Sequence, residues 1–178
     1  MILTPAFRFS PTASVMVFLC AVLLVSTSAW AETKELQTFS KWSVYVKDTK
    51  AGKVCFMSST PEKLKGDYDR NNRGDTRVFV THGPGASDRN VVSVLAGYRY
   101  RKQSEVELNI DGRKINLFTL DNNAWAQGPE DDVKLIQSMK RGNRLTVTGV
   151  SSRNNKTIDE YSLSGFTKAK QFLDKSCP

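Results

Sequence analysis

Few residues in this 178-residue chain have the types and spacing that chemistry requires. His82 is the sole histidine, so a multi-histidine metal site is excluded. Neither Cys-x-x-Cys nor His-Glu-x-x-His spacing occurs, and there is no Gly-x-Ser-x-Gly elbow, phosphate loop or dinucleotide glycine pattern. His82 could act as a general base, the alternative reading being a hydrolase. A residue at a strand end beside Gly83-Pro84-Gly85 is more readily explained as solvated. The acidic run Glu130, Asp131 and Asp132 follows Pro129 and suits the positive end of a helix dipole better than acid–base work. No catalytic residue, cofactor or metal is expected.

Three other groups stand out. Cys20, Cys55 and Cys177 are the only cysteines. Arg99, Arg101 and Lys102 form the densest basic cluster, interleaved with Tyr98 and Tyr100, and make a candidate patch for an anionic ligand. Tyrosines alternating with basic residues could stack bases and hold phosphates. However, Tyr98 and Tyr100 share the parity of Val92 and Val94, which turns them toward a core, so no nucleic acid is expected as a partner. Asn155-Lys156-Thr157 fits a glycosylation sequon but reads as part of a polar turn.

The elements that must position these residues begin after an export signal. Arg8 precedes the apolar run Val15–Val25, and Ala29-Trp30-Ala31 supplies the small-x-small pattern of a signal-peptidase site. Residues 1–31 are therefore expected to be removed. Eleven apolar residues span roughly 16 Å as a helix, against a hydrocarbon core of about 30 Å, too short for an anchor. Cys20 lies inside the run, which does not suit a lipidation site, and leaves with the leader. Cys55 and Cys177 then remain as an even pair in an oxidising compartment and are expected to form one disulfide. A bond between two chains through Cys177 is the alternative. The leader has one arginine and no acid, so the whole chain's charge of +8 falls by one in residues 32–178. That balance suits solubility and anionic envelope partners alike, and the mature chain has no transmembrane segment.

The rest reads as one domain, mainly of strands. Trp42, Val44 and Val46 alternate with polar residues, and Val54–Thr60, Arg77–His82 and Val91–Tyr100 have strand character. Residues 61–74 are polar and read as a loop. Asp111-Gly112 joins two alternating runs as a tight hairpin, with Val106, Leu108 and Ile110 facing Ile115 and Leu117. Residues 144–151 and 157–164 add two strands, and Ala124-Trp125-Ala126 is a short apolar island. A short helix is expected near 130–140 with Val133, Ile136 and Met139 on one face. Another is expected from about Gly165 to Lys175 with Phe166, Ala169, Phe172 and Leu173 inward. Short strands with turns between them predict an all-β sandwich or barrel with these two helices.

These segments, in order, resemble the invasion-associated locus B family of exported Gram-negative proteins. The resemblance runs from about Phe39 to Cys177. It is carried by Trp42, Cys55 and Ser59–Pro61, by RVFVTHGPG at Arg77–Gly85, by VVSVLAGYRY, and by Ala124–Ala126. LIQSMKRGNRLTVTG at Leu135–Gly149, YSLSGFTKA at Tyr161–Ala169 and Cys177 complete it. The resemblance implies an immunoglobulin-like β-sandwich in the periplasm or attached to the envelope, with a role in host-cell interaction or envelope integrity. It implies no catalytic residue. The expected function is that of a non-enzymatic binding or structural module whose partner is an envelope protein or an anionic envelope component.

Overall fold

The structure, a computed structural model, describes residues 32–177; the expected leader and its cleavage site lie outside them. Eleven strands follow in chain order: β1 Thr33–Phe39, β2 Trp42–Thr49, β3 Gly52–Ser59, β4 Lys63–Gly66, β5 Arg77–His82 and β6 Val91–Leu95, then β7 Glu105–Ile110, β8 Arg113–Leu120, β9 Asn123–Trp125, β10 Arg144–Val150 and β11 Lys156–Ser162. Helix α1 covers Pro129–Arg141 and α2 covers Phe166–Ser176.

All pairings are antiparallel and run through one sheet in the order β1-β2-β3-β5-β6-β9-β8-β7-β10-β11-β4. The sheet doubles over so that its halves face each other. The Trp42 indole N–H at the start of β2 donates to Ser162 O at the end of β11, at 3.1 Å, and Lys41 N donates to Ser164 O. The fold is thus mainly β and sandwich-like. Alternation dictates the core. Trp42, Val44, Val78, Val80, Val92, Val94, Leu108, Leu145 and Tyr161 point between the halves, while their neighbours in sequence face out. The Asp111-Gly112 turn has positive φ at both residues (46° and 97°) and sets the expected register, with Val106 opposite Leu117 and Leu108 opposite Ile115.

The helices close the open end of the core. In α2, Phe166 meets Trp42 edge-on at 4.9 Å and Phe172 packs on Phe39 at 5.5 Å. In α1 the buried face is Asp132, Leu135, Ile136 and Met139, not the expected Val133, Ile136 and Met139; Val133 is exposed. The reason is polar. β9 pairs β6 only from Ser93 onward, which leaves the Val92 N–H free, and the Asp132 carboxylate accepts it at 2.8 Å. Turning Asp132 inward turns Val133 outward.

Two further expectations are corrected. The run Val91–Tyr100 is not one strand: β6 stops at Leu95 because Gly97 takes a φ of 73°. A Cβ there would lie 2.3 Å from Gly74 O, so the close approach of the two glycine backbones requires Gly97. Residues 61–74 are not all loop either. Lys63–Gly66 crosses to the far edge and pairs with β11, with Lys63 and Lys65 beside Glu160. Strand β1, exposed along most of its length, carries little hydrophobic pattern and is the other edge.

Candidate functional site

Ordinary strand chemistry places a polar cleft where three loops meet. The first loop enters through Asp69, whose carboxylate accepts the Asn71 N–H at 3.0 Å and caps a single 3-10 turn, Arg70–Asn72. That turn delivers Arg73, and Gly74 N then donates to Gly97 O at 2.9 Å, locking the first loop to the second. The third is the turn after β10. Ser151 N donates to Asn155 O, while Ser151 Oγ accepts the N–H groups of Arg153 and Asn155. The cleft between them has a volume of about 320 Å³. Tyr68, Arg73 and Tyr98 form its inner wall, and Arg99, Arg153 and Asn155 stand at its mouth.

Arg73 is the centre of this arrangement. Its Nη1 and Nη2 donate to the two carboxylate oxygens of Asp159 at 2.7 and 2.6 Å, and both side chains are 3% exposed. Nη1 also donates to the Tyr68 hydroxyl at 2.6 Å and Nε to Ala96 O at 2.9 Å. The guanidinium lies 5.3 Å from the Tyr68 ring centroid and 5.1 Å from that of Tyr98. Burial works against its charge, but the hydrogen bonds and charge of Asp159, with help from Tyr68, more than offset this and hold Arg73 above its ordinary value. Burial likewise pushes the Asp159 carboxyl up, and Arg73 offsets part of that rise. Bidentate acceptance uses both carboxylate oxygens, so the pair is ionic. Burial also raises Tyr98 to about 12, against the hydrogen bond it shares with Thr157 at 2.6 Å. Tyr98 is therefore a neutral phenol.

Arg73 is internally satisfied, and the Asp69 carboxylate in the lining is held by the Asn71 N–H and the Asn72 amide, so the positive charge available to a ligand comes from Arg99 and Arg153 at the mouth. Both are exposed. Arg99 comes within 3.9 Å of Asp121, but with both side chains open to solvent that pair is weak. The expected basic patch is thus divided. Arg99 belongs to the cleft, whereas Arg101 and Lys102 continue along the exposed loop after it, off any strand. Tyr100 is buried and bridges Ser151, and Tyr98 packs partly against the core, as their parity indicates.

His82 is the one site residue whose surroundings differ most from expectation. It is fully buried rather than solvated, facing inward as the last residue of β5 opposite Cys55. The Asn90 N–H donates to its Nδ1 at 3.0 Å, which assigns the proton to Nε2, and Nε2 donates to Asp174 on α2 at 2.8 Å. Lys170, one helical turn earlier, donates to the same carboxylate oxygen. Burial lowers the His82 pKa below its ordinary value. Asp174 opposes that effect, while Lys170 and Arg89 add to it. Beside this network Cys55 and Cys177 form the expected intrachain disulfide, with Cα atoms 6.1 Å apart, and Arg89 donates to Cys177 O at 2.9 Å. Bridge and imidazole together fasten the end of α2 to β3 and β5. Among the described residues no group of three or more His, Cys, Asp or Glu side chains could hold a metal ion, and no helix is long and apolar enough to cross a membrane.

No curated protein and no solved structure matches the chain. One family does: the profile described as Invasion associated locus B (IalB) protein matches residues 42–174, from the indole that joins the sheet halves to the carboxylate that holds His82. That span takes in both strands of the disulfide's neighbourhood, the whole Arg73 cleft and all but the last residues of α2. The chain belongs to the invasion-associated locus B family.

Proposed function

We propose that this family member is exported and acts in the bacterial envelope as a non-enzymatic binding module, taking an anionic group of an envelope component into the Arg73 cleft. The observation that carries the reading is the division of labour among three arginines. Arg73 is neutralised by Asp159 and builds the wall; Arg99 and Arg153 stand at the mouth without a strong partner. Two cations over a pocket walled by the aromatic rings of Tyr68 and Tyr98 suit a carboxylated or phosphorylated sugar. The ring packs on the aromatic wall, and Asn155 and Asn72 offer amides to its hydroxyls. The non-enzymatic part draws support from His82. Its Nδ1 is occupied by a backbone N–H, its Nε2 by Asp174, and the ring is closed off from solvent, so it serves the fold. Export draws support from the leader pattern at residues 1–31.

Calorimetric titration of the chain beginning at Glu32, which carries all the described structure, tests the binding. Galacturonate and glucose 6-phosphate should bind, with glucose much weaker, and Arg153→Gln should reduce the affinity. Equal binding of glucose, or an unchanged affinity in Arg153→Gln, refutes the cleft. The mass of the protein recovered from the periplasm tests export, with cleavage expected between Ala31 and Glu32; a mass that retains residues 1–31 refutes the cleavage.

A further inference from the structure

We infer that the tip of the β8–β9 hairpin, together with the basic loop bonded to it, is a docking surface for an anionic lipid membrane. Leu120, the last residue of β8, is 62% exposed, and Phe118, on the same face, is 39% exposed. Phe118 is directly opposite Trp125 on β9, their ring centroids 5.8 Å apart. Leu120 and Leu95 flank Asn123 on either side. Four apolar side chains therefore share one outward face of β6, β9 and β8, and the most exposed of them is at the turn.

The neighbouring loop supplies the charge. Ala96 N donates to Asn122 O at 3.0 Å, Tyr100 N to Asp121 O at 2.7 Å, and Thr119 Oγ1 to Ser104 O at 2.7 Å. Hairpin tip and residues 96–104 are consequently one rigid piece. That piece presents Arg99, Arg101 and Lys102, all exposed, beside Leu120. Arg153 joins them through the next turn, where Ser152 N donates to Arg99 O at 2.8 Å. Three acids share this end, Asp121 at the tip, Glu105 at the start of β7 and Asp69 in the cleft, against the four cations Arg99, Arg101, Lys102 and Arg153, so the cations are in excess.

Charge complementarity selects the occupant. A projecting leucine with phenylalanine and tryptophan behind it, ringed by arginine and lysine, is the composition that settles at a headgroup boundary. The apolar tip enters the interface, the indole sits at headgroup depth and the cations meet lipid phosphates. The partner is lipid phosphate in a bilayer, not free phosphate, because the apolar tip is useful only where there is an apolar phase to enter. This inference takes from the envelope reading only that a membrane is at hand. It would orient the mouth of the cleft, which shares Arg99 and Arg153, toward that membrane.

Sedimentation of the chain from Glu32 with vesicles tests the surface. Binding is expected to vesicles of phosphatidylglycerol and phosphatidylcholine mixed, and to weaken steeply with salt. Vesicles of phosphatidylcholine alone should bind little. Trp42 is fully buried, so a blue shift of tryptophan emission on binding reports Trp125. Leu120→Asp should lower partitioning roughly tenfold, the loss of one buried leucine, and Arg101→Gln with Lys102→Gln should flatten the salt dependence. Both sets lie on the surface, and unchanged thermal melting will show that they fold; if Leu120→Asp does not, Leu120→Ser replaces it. Equal binding to both vesicle types, undiminished partitioning of the Leu120 variant, or a blue shift that accompanies concentration-dependent dimerisation without vesicles overturns the inference. The Arg153→Gln titration with sugars fails or succeeds separately, because free sugars present no apolar phase.

Discussion

Replacing Arg73 with Met removes one half of an ion pair that water cannot reach. Asp159 is 3% exposed, and the variant would leave its carboxylate with neither of the hydrogen bonds it accepts from Arg73. Stripping one partner from a buried pair costs about 3–5 kcal/mol, because the remaining charge stays desolvated. Met fills much of the stem volume, so little of that cost comes from packing. For a chain of this size each kcal/mol moves Tm by roughly 2–4 °C, giving an expected fall on the order of 10 °C at pH 7. The loss should also depend on pH. In the variant, desolvation unopposed by Arg73 raises the folded-state pKa of Asp159 further above its ordinary value. A group with a raised folded pKa costs nothing below its unfolded pKa, and stability is lost as pH rises through the folded value. Wild type and variant should therefore differ least near pH 4 and most at neutral pH. Adding Asp159→Leu to Arg73→Met removes both charges and should recover much of the loss. Thermal melts of the three variants at pH 4 and pH 7, followed by circular dichroism, give the comparison. A loss under 1 kcal/mol at pH 7, or one that grows toward acid, refutes the claim that this pair is buried and ionic.

His82 is the only histidine, so its ring signals in an NMR titration are unambiguous; its apparent pKa should lie below 6.5. Because its folded pKa is depressed, His82 makes stability fall as pH drops below about 6.5, and His82→Gln should flatten that slope; an unshifted pKa refutes the buried neutral ring. The disulfide closes a segment of 122 residues, for which chain entropy gives about 4–5 kcal/mol as an upper figure. Cys55→Ala with Cys177→Ala should lower Tm by roughly 10 °C or more, and two free thiols in the oxidised wild type would refute the bridge. Gly97→Ala places a Cβ 2.3 Å from Gly74 O and should destabilise the fold by more than 1 kcal/mol; a neutral result in a chemical-denaturation curve would show that the two loops can separate without loss.

The parts of the fold legible in sequence are those governed by local rules. Alternation identifies most of the strands, Asp-Gly fixes the β7–β8 register, and proline and glycine bracket α1. What escaped is long-range. Nothing local to Lys63–Gly66 signals a strand, because its partner is nearly a hundred residues away in β11. Asp132 turns α1 through a bond to a distant Val92, overriding the apolar spacing that selected Val133. The cleft was half visible. Arg99 stood out as part of a basic cluster, but Arg73 and Tyr68 lay in a polar stretch that resembled any loop, and Asp159 resembled any outward strand acid. A charged residue on the inward parity of a strand, which Asp159 is beside Thr157 and Tyr161, was the signal that could have found the pair. His82 had the same inward parity in β5, and that parity argued for burial against its place next to a turn.

The path of the chain through the sheet sets an order of events. The polypeptide leaves the ribosome, or any pore that threads it, with its N-terminus first. Cys55 therefore emerges long before Cys177, and for the whole of that interval its thiol has no native partner. Strand β4 waits in the same way, since β11 is the next-to-last element to appear. The halves of the sandwich cannot shut until the indole of Trp42 finds Ser162, 120 positions downstream. Assembly is thus deferred almost to the end of delivery, as expected for a topology dominated by distant pairings. During that wait β1, β2, β3, β5 and β6 can pair among themselves yet expose one apolar face, and Cys55 is open to any thiol oxidant it meets. A catalyst that makes the bond must act last, on a nearly finished domain. One that acts early holds Cys55 only as a mixed disulfide, which Cys177 resolves as α2 docks.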